Sequence, residues 1–347
     1  MKAAVLHGKE DVRVEEVTPR LLQPGEVRIQ IEAALTCGTD LKVFKRGYHA
    51  QMIVPPAVFG HELAGFIAEV RSDNDETGSH RWNIGDRVVV ANSAPCGQCF
   101  FCQNAQENLC ADLLFLNGAY AESIVVPRRL VQKNLLPLGT ETSFGDAALM
   151  EPLACVVQGM EEANLRRGQR VLVIGAGPIG LMFVTLARSV GCEVAVAGRG
   201  DKRLRAAERL GANLVIEVAP SRDLRQVIPR DDRGFDVVFE AVGKPETWEA
   251  AVGFVRKGGT VNFFGGCPAG TSVTLDTSLI HYSNLKLIAS YHHTPRTIRR
   301  ALEFIENGLI RAADFVDGEC PLTGLPALFQ SMAAGNRVVK TLVRVRE

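Results

Sequence analysis

The chain has 347 residues, 46% of them hydrophobic and 22% charged, with 39 basic and 39 acidic side chains and a formal net charge of zero. That length suits two domains and a sizeable core, and the balanced charge removes any electrostatic case for a nucleic acid or an anionic membrane as partner. Nine cysteines in a long chain whose N-terminus alternates like a strand, without the apolar core of a signal peptide, point to metal or buried thiols and to a cytoplasmic location.

From Lys2 to about Ala34, short alternating segments (AAVLH, VRVEEV, EVRIQIEAAL) separated by Pro19 and Pro24-Gly25 predict a small, largely antiparallel β domain. Cys37-Gly38-Thr39-Asp40 closes a strand-like run, and Gly60-His61-Glu62 follows between two apolar runs. Thiolate, imidazole and carboxylate are ligand types that suit zinc, and a catalytic site needs three such groups with one position left open. Taken singly, Cys37 also reads as a buried small hydrophobe, His61 as a satisfied core histidine and Glu62 as a surface charge. Residues 71–83 read as a solvated loop in which His80 is a surface histidine.

Cys96, Cys99, Cys102 and Cys110 follow at the spacing C-x2-C-x2-C-x7-C. Four thiolates on a short lobe, about 93–112, close a tetrahedron around zinc and leave no open position, the pattern of a structural site. An iron–sulfur cluster is the chemical rival. Tyr120 to Leu138 returns to short strands. Asp146 to Met160 has helical spacing interrupted at Glu151-Pro152, where the proline is expected to end one helix and start the next, leaving the Glu151 carboxylate at the break.

Val171 to Ile174 is an apolar run that enters Gly175, Gly177 and Gly180, a G-x-G-x-x-G turn. Pro178 suits a first helical turn. Ile179, Met182, Phe183, Leu186 and Val190 recur at helical spacing, Gly191 ends the helix, and Glu193 to Ala197 is a second buried strand. The unit aims a helix N-terminus at phosphate, so Gly175, Gly177, Pro178, Ile179 and Gly180 are candidate dinucleotide contacts. An NAD site would place Asp or Glu at the end of the second strand; here stand Gly198 and Arg199, with Lys202 and Arg203 nearby, which favours NADP over NAD. The competing reading leaves Arg199 in solvent and gives the ribose to Asp201. Further strands at FDVVFEAVG, GGTVNFFGG and LKLIASY, alternating with helices, predict a doubly wound parallel sheet of about six strands. After Tyr291 comes a helix over Thr297 to Asn307, and VVKTLVRV is expected to be a strand returning to the first domain. Cys155, Cys192, Cys267 and Cys320 read as buried thiols. His292 and His293 read either as lining a substrate cleft or as surface histidines at a helix start.

Assembled, the order Cys-Gly-Thr-Asp, Gly-His-Glu, four-cysteine lobe, Glu-Pro break and G-x-G-x-x-G resembles the zinc-containing medium-chain alcohol dehydrogenases over nearly the whole chain, closest to the sorbitol (polyol) and threonine dehydrogenase branch. The resemblance implies an α/β fold with a Rossmann domain at 151–290 and a mostly β GroES-like catalytic domain at 1–150, completed by 291–347. It implies two zinc ions per chain, the structural one on the four-cysteine lobe and the catalytic one on Cys37 and His61, with Glu62 a third ligand or a nearby carboxylate. Glu151 stands where ethanol-type members have cysteine, and in polyol-type members this glutamate lies beside the metal, giving a harder, more labile site that suits a chelating polyol. Asp40 matches the acid that orients the histidine, Thr39 the hydroxyl that passes the alcohol proton onward, and Lys340 a basic residue near the pyrophosphate. The activity implied is reversible oxidation of a secondary alcohol, with Thr39 and Glu62 in the proton path. Lys42 stands where many relatives carry the outer histidine of the proton relay. Val43 stands where sorbitol dehydrogenase has a pocket tyrosine, so sorbitol itself is not implied. Alternatives are a threonine or other amino-alcohol dehydrogenase, a simple alcohol dehydrogenase and, from another class, a non-catalytic NADP-binding protein. The family usually forms homodimers or homotetramers.

Overall fold

The strand Val27–Leu35 is the hub of the first sheet and positions the candidate site residues. Val27, Ile29 and Ile31 are buried while Arg28, Gln30 and Glu32 are partly exposed, the alternation of a strand with one face on a core. The computed structural model describes residues 1–49, 52–72, 82–219, 222–228, 233–336 and 338–346. His80 and most of the loop expected at 71–83 lie outside these residues.

The chain divides into one unit of residues 1–154 with 293–347 and another of 155–292; the breaks fall at 154/155 and 292/293 rather than at the expected 150/151 and 290/291. In the first unit, Val27–Leu35 pairs antiparallel with Glu62–Val70 on one side and with Lys340–Arg344 on the other. Arg87–Val90, Leu135–Pro137, Val316–Pro321 and Ser123–Val126 complete a seven-stranded sheet. The register sets Leu35 opposite Glu62 and Leu342, so three strands bring their ends to one point. Phe44, Phe59, Tyr120 and Phe329 pack beneath it, with Phe329 5.5 Å from Phe44 and 5.3 Å from Phe59 between ring centroids.

Two local expectations are corrected. Pro152 does not separate two helices: Phe144–Ala147 ends earlier, and one helix, Met150–Glu162, runs through the proline. Pro152 sits in the first turn, where backbone N–H groups have no helical acceptor and a missing one costs nothing. Within Tyr120 to Leu138, Arg128–Lys133 is helical rather than strand.

In the second unit, Leu214–Glu217, Glu193–Gly198, Arg170–Ile174, Phe235–Glu240, Val255–Phe263 and Lys286–Ala289 lie in that spatial order in one parallel sheet. In chain order this is 3-2-1-4-5-6, a doubly wound sheet whose direction of winding switches beside Arg170–Ile174, just before the glycine turn. Among the described residues no helix is long and apolar enough to cross a membrane.

Candidate active site

Cys37 does not end the strand run but caps a helix, Gly38–Arg46. Its sulfur accepts the Thr39 N–H at 3.4 Å, and Asp40, three residues on, accepts the Cys37 N–H at 3.2 Å. This reciprocal cap fixes the thiol and the carboxylate together. The other Asp40 oxygen accepts the His61 Nδ1–H at 2.9 Å, which leaves Nε2 for the cluster. Ligand atoms of Cys37, His61 and Glu62 lie within 4.8 Å of one another. Burial alone would lower the His61 pKa, but the charges of Asp40 and Cys37 override it and hold it well above the ordinary value. The imidazole therefore faces a strongly negative pocket, which suits a divalent cation. The sulfur, nitrogen and oxygen donors present fit zinc. Thr39 is half-buried, two residues beyond the thiol.

Glu62 lies beside Cys37 and His61 as expected, whereas Lys340 departs from expectation. Lys340 Nζ donates to both Glu62 oxygens, at 2.6 and 2.5 Å, and to the Thr36 carbonyl at 2.9 Å. An ammonium has three hydrogens, so all are engaged and none is left for a pyrophosphate. Burial opposes the charge on Lys340, but Glu62 overrides it and raises its pKa, while burial raises that of Glu62 in spite of Lys340. Lys340 is thus the buried counter-ion of Glu62, and the distance of 278 residues between them hides the pair from any local reading.

Glu151 is buried, and that burial pushes its pKa up to about 7. His293 is no surface histidine: it is buried, its Nε2 lies 2.9 Å from Asn92 Oδ1 and 3.8 Å from Glu151 Oε1. His292, half-buried with φ +62°, belongs to the second unit. Of the four leftover cysteines only Cys192 is buried; Cys155, Cys267 and Cys320 are partly exposed.

The four lobe cysteines converge, with sulfur separations of 3.9 Å (Cys96–Cys102), 3.5 Å (Cys99–Cys102) and 3.8 Å (Cys99–Cys110). A tetrahedron of sulfurs at zinc–thiolate bond length has edges of about 3.8 Å, so the lobe fits zinc. Backbone N–H groups of Cys102 and Ala111 bring Cys99 down to about 6, while burial pushes Cys102 up to about 12. Four sulfurs this close ionise together only around a cation.

In the second unit Gly177 caps the helix Pro178–Val190 with Pro178 in its first turn. A Cβ on Gly180 would stand 1.8 Å from the Gly175 carbonyl oxygen, so only glycine lets the helix close on the turn. Ile179 is half-buried in that first turn, and the Arg203 guanidinium lies 4.0 Å from where a Gly177 Cβ would be. Gly198 ends the second strand, and Arg199 follows, half-buried. Asp201 is exposed and paired with Arg205 at 2.5 Å.

A cysteine–histidine–carboxylate cluster and a four-cysteine lobe on one unit, with a doubly wound dinucleotide-type sheet in the other, are the parts of a metal-dependent, nicotinamide-linked dehydrogenase. Residues 23–137 match the alcohol dehydrogenase GroES-like domain, and residues 178–307 the zinc-binding dehydrogenase domain. The chain is 33% identical to D-altritol 5-dehydrogenase of Agrobacterium fabrum, over 89% of each chain. It is 28% identical to sorbitol dehydrogenase of Bacillus subtilis, over 99% of this chain and 97% of that one. A Sinorhizobium meliloti protein classed as a zinc-binding dehydrogenase and solved bound to NADP superposes with a TM-score of 0.87 at 29% identity, covering 99% of this chain and 98% of that one. The chain belongs to the zinc-dependent medium-chain alcohol and polyol dehydrogenase family.

Proposed function

We propose that the protein reversibly oxidises a secondary hydroxyl of a polyol or sugar-type alcohol, with NADP as the hydride partner. The observation that carries this reading is the convergence of Cys37, His61 and Glu62 ligand atoms within 4.8 Å, with Asp40 behind the imidazole. Cys37 Sγ and His61 Nε2 would hold a catalytic zinc, with Glu151 as the nearby carboxylate; Cys96, Cys99, Cys102 and Cys110 would hold a second, structural zinc. Zinc supplies Lewis acidity that lowers the pKa of a hydroxyl, and NADP supplies a nicotinamide that accepts hydride.

The chain's own residues do the rest. Asp40 fixes the His61 tautomer and ring angle. Glu62, charge-paired with Lys340, sets the field at the cluster, so proton removal falls to the Thr39 hydroxyl and water rather than to Glu62. Gly175, Gly177, Pro178, Ile179 and Gly180 would receive the pyrophosphate at the helix N-terminus. Gly198 lets the second strand end close against Ala176; the guanidinium groups of Arg199 and Arg203 would bind the 2′-phosphate, and the pairing of Asp201 with Arg205 supports that choice over NAD. The altritol and sorbitol dehydrogenase relatives support the polyol class. None of the nine cysteines is joined in a disulfide, which supports a cytoplasmic setting, and a homodimer or homotetramer completes the reading.

The test is reduced-nicotinamide formation over a panel of polyols, simple alcohols and threonine, with NADP and NAD in parallel on zinc-loaded protein. Polyol turnover that prefers NADP is expected, and Cys37→Ser or His61→Ala should abolish it while NADP binding persists. Turnover of threonine alone, or normal rates in either variant, would overturn the reading.

A further inference from the structure

Tyr120 lies outside every motif used so far, yet its side chain is fully buried against the site. Its hydroxyl is 2.5 Å from Asp40 Oδ2 and 3.1 Å from the Leu35 carbonyl. A phenol has one proton for two acceptors. The shorter contact to an anionic oxygen has the length of a charge-assisted O–H···O⁻ bond, so the proton goes to Asp40. Burial first, and the Asp40 charge second, hold the phenol pKa well above its ordinary value, so that proton stays in place.

The backbone around Tyr120 grips the other end of the same pair. Tyr120 N–H donates to the Phe59 carbonyl at 2.9 Å, and the N–H groups of Gly118 and Ala119 donate to the Gly60 carbonyl at 2.8 and 3.1 Å. Gly60 has φ +90°, and a Cβ there would meet the Tyr120 ring at 2.6–2.8 Å. One segment therefore fixes the backbone that presents His61 and the carboxylate that His61 leans on.

We propose that Tyr120 is a positioning residue of the Cys37–His61 metal site, acting through Asp40 to set the angle of the His61 imidazole. This rests on reading that cluster as a zinc site. Asp40 Oδ1 serves His61; Oδ2 receives the Cys37 N–H at 3.2 Å and the Tyr120 hydroxyl at 2.5 Å. Without the hydroxyl, Oδ2 keeps only the longer bond, from the Cys37 N–H, to hold the carboxylate against the His61 ring. The His61 ring, itself the metal ligand, then loses a fixed partner, a change that in metal sites weakens binding by about 10–100-fold.

Tyr120→Phe keeps the ring against Gly60 and Phe59 and deletes only the hydroxyl. Zinc affinity is measured at both sites by competition with a chromophoric chelator, on the full chain, with the four-cysteine lobe as internal reference. The expected result is about a 10–100-fold loss at the Cys37–His61 site and none at the lobe. In an Asp40→Asn background, Tyr120→Phe should add no comparable loss, because the partner it holds is already altered. Unchanged affinity at both sites overturns the proposal, and so does an equal loss at both, which would make Tyr120 a general packing residue. Retention of both zinc ions in Cys37→Ser would remove the site itself, and that variant alone tells this apart from failure of the Tyr120 proposal.

Discussion

Replacing Lys340 by methionine removes the cation from a pair that water does not reach. The Lys340 side chain is 1% and that of Glu62 0% exposed, and methionine fills most of the volume of the lysine stem, so the change is electrical rather than a cavity. Removing one partner of a buried ion pair leaves an uncompensated charge and costs about 3–5 kcal/mol; loss of the Thr36 carbonyl's donor falls within that figure. Glu62→Gln combined with Lys340→Met removes both charges and should recover most of the loss. Urea unfolding provides the assay, in excess chelator so that no metal replaces the ammonium. Trp82 lies in the first unit and Trp248 in the second, so a Trp248→Phe background isolates the transition of interest. A single variant within about 1 kcal/mol of its parent, or a double variant as unstable as the single one, would refute the argument.

Arg199→Asp should lower the preference for NADP over NAD by about tenfold to a hundredfold, the worth of a charge-assisted contact to the 2′-phosphate, read as the ratio of kcat/KM for the two cofactors. Cys102→Ser should reduce bound zinc, measured by elemental analysis, from two ions per chain to one while the Cys37–His61 ion is retained. Glu26 is held below the ordinary carboxylate range first by hydrogen bonds from Arg20, then by the Gln23 N–H, against the effect of burial. A folded-state pKa below the unfolded one stabilises above the unfolded value and is lost as pH falls through the folded value. Arg20 is half exposed, so Arg20→Gln should cost about 0.5–1 kcal/mol at pH 7, and the gap in urea stability should close as pH falls from the ordinary glutamate range through the lower folded-state value.

The second unit was legible because its signals are local: apolar runs of strand length, glycines at turns, and helical spacing between them. The cysteine lobe was legible for the same reason, since 15 residues hold all four sulfurs. Cys37 was placed near metal, but its helix was missed, because Gly38–Arg46 has few apolar positions and its start is marked by a sulfur cap rather than by Ser or Asp. Pro152 misled because proline breaks a helix everywhere except in its first turn. The partners that tune the site lie far off in sequence: Tyr120 is 80 residues from Asp40, and Lys340 is 278 from Glu62. No periodicity encodes such pairs. By resemblance Lys340 is a basic residue near the pyrophosphate; the fold instead sets its ammonium on Glu62 and the Thr36 carbonyl.

The sheet of the first unit includes a strand, Lys340–Arg344, that follows all its other strands in the chain. When Glu62 emerges, its counter-ion is still 278 residues away, and the whole of residues 155–292 must be made in between. The edge of Val27–Leu35 that Lys340–Arg344 later covers is open for that interval, as a strand template bearing a buried-type acid with nothing to neutralise it. Synthesis at typical rates makes this a wait of roughly 15–60 s. The second unit, whose strands are contiguous in sequence, can fold during it, while Glu62 waits for Lys340.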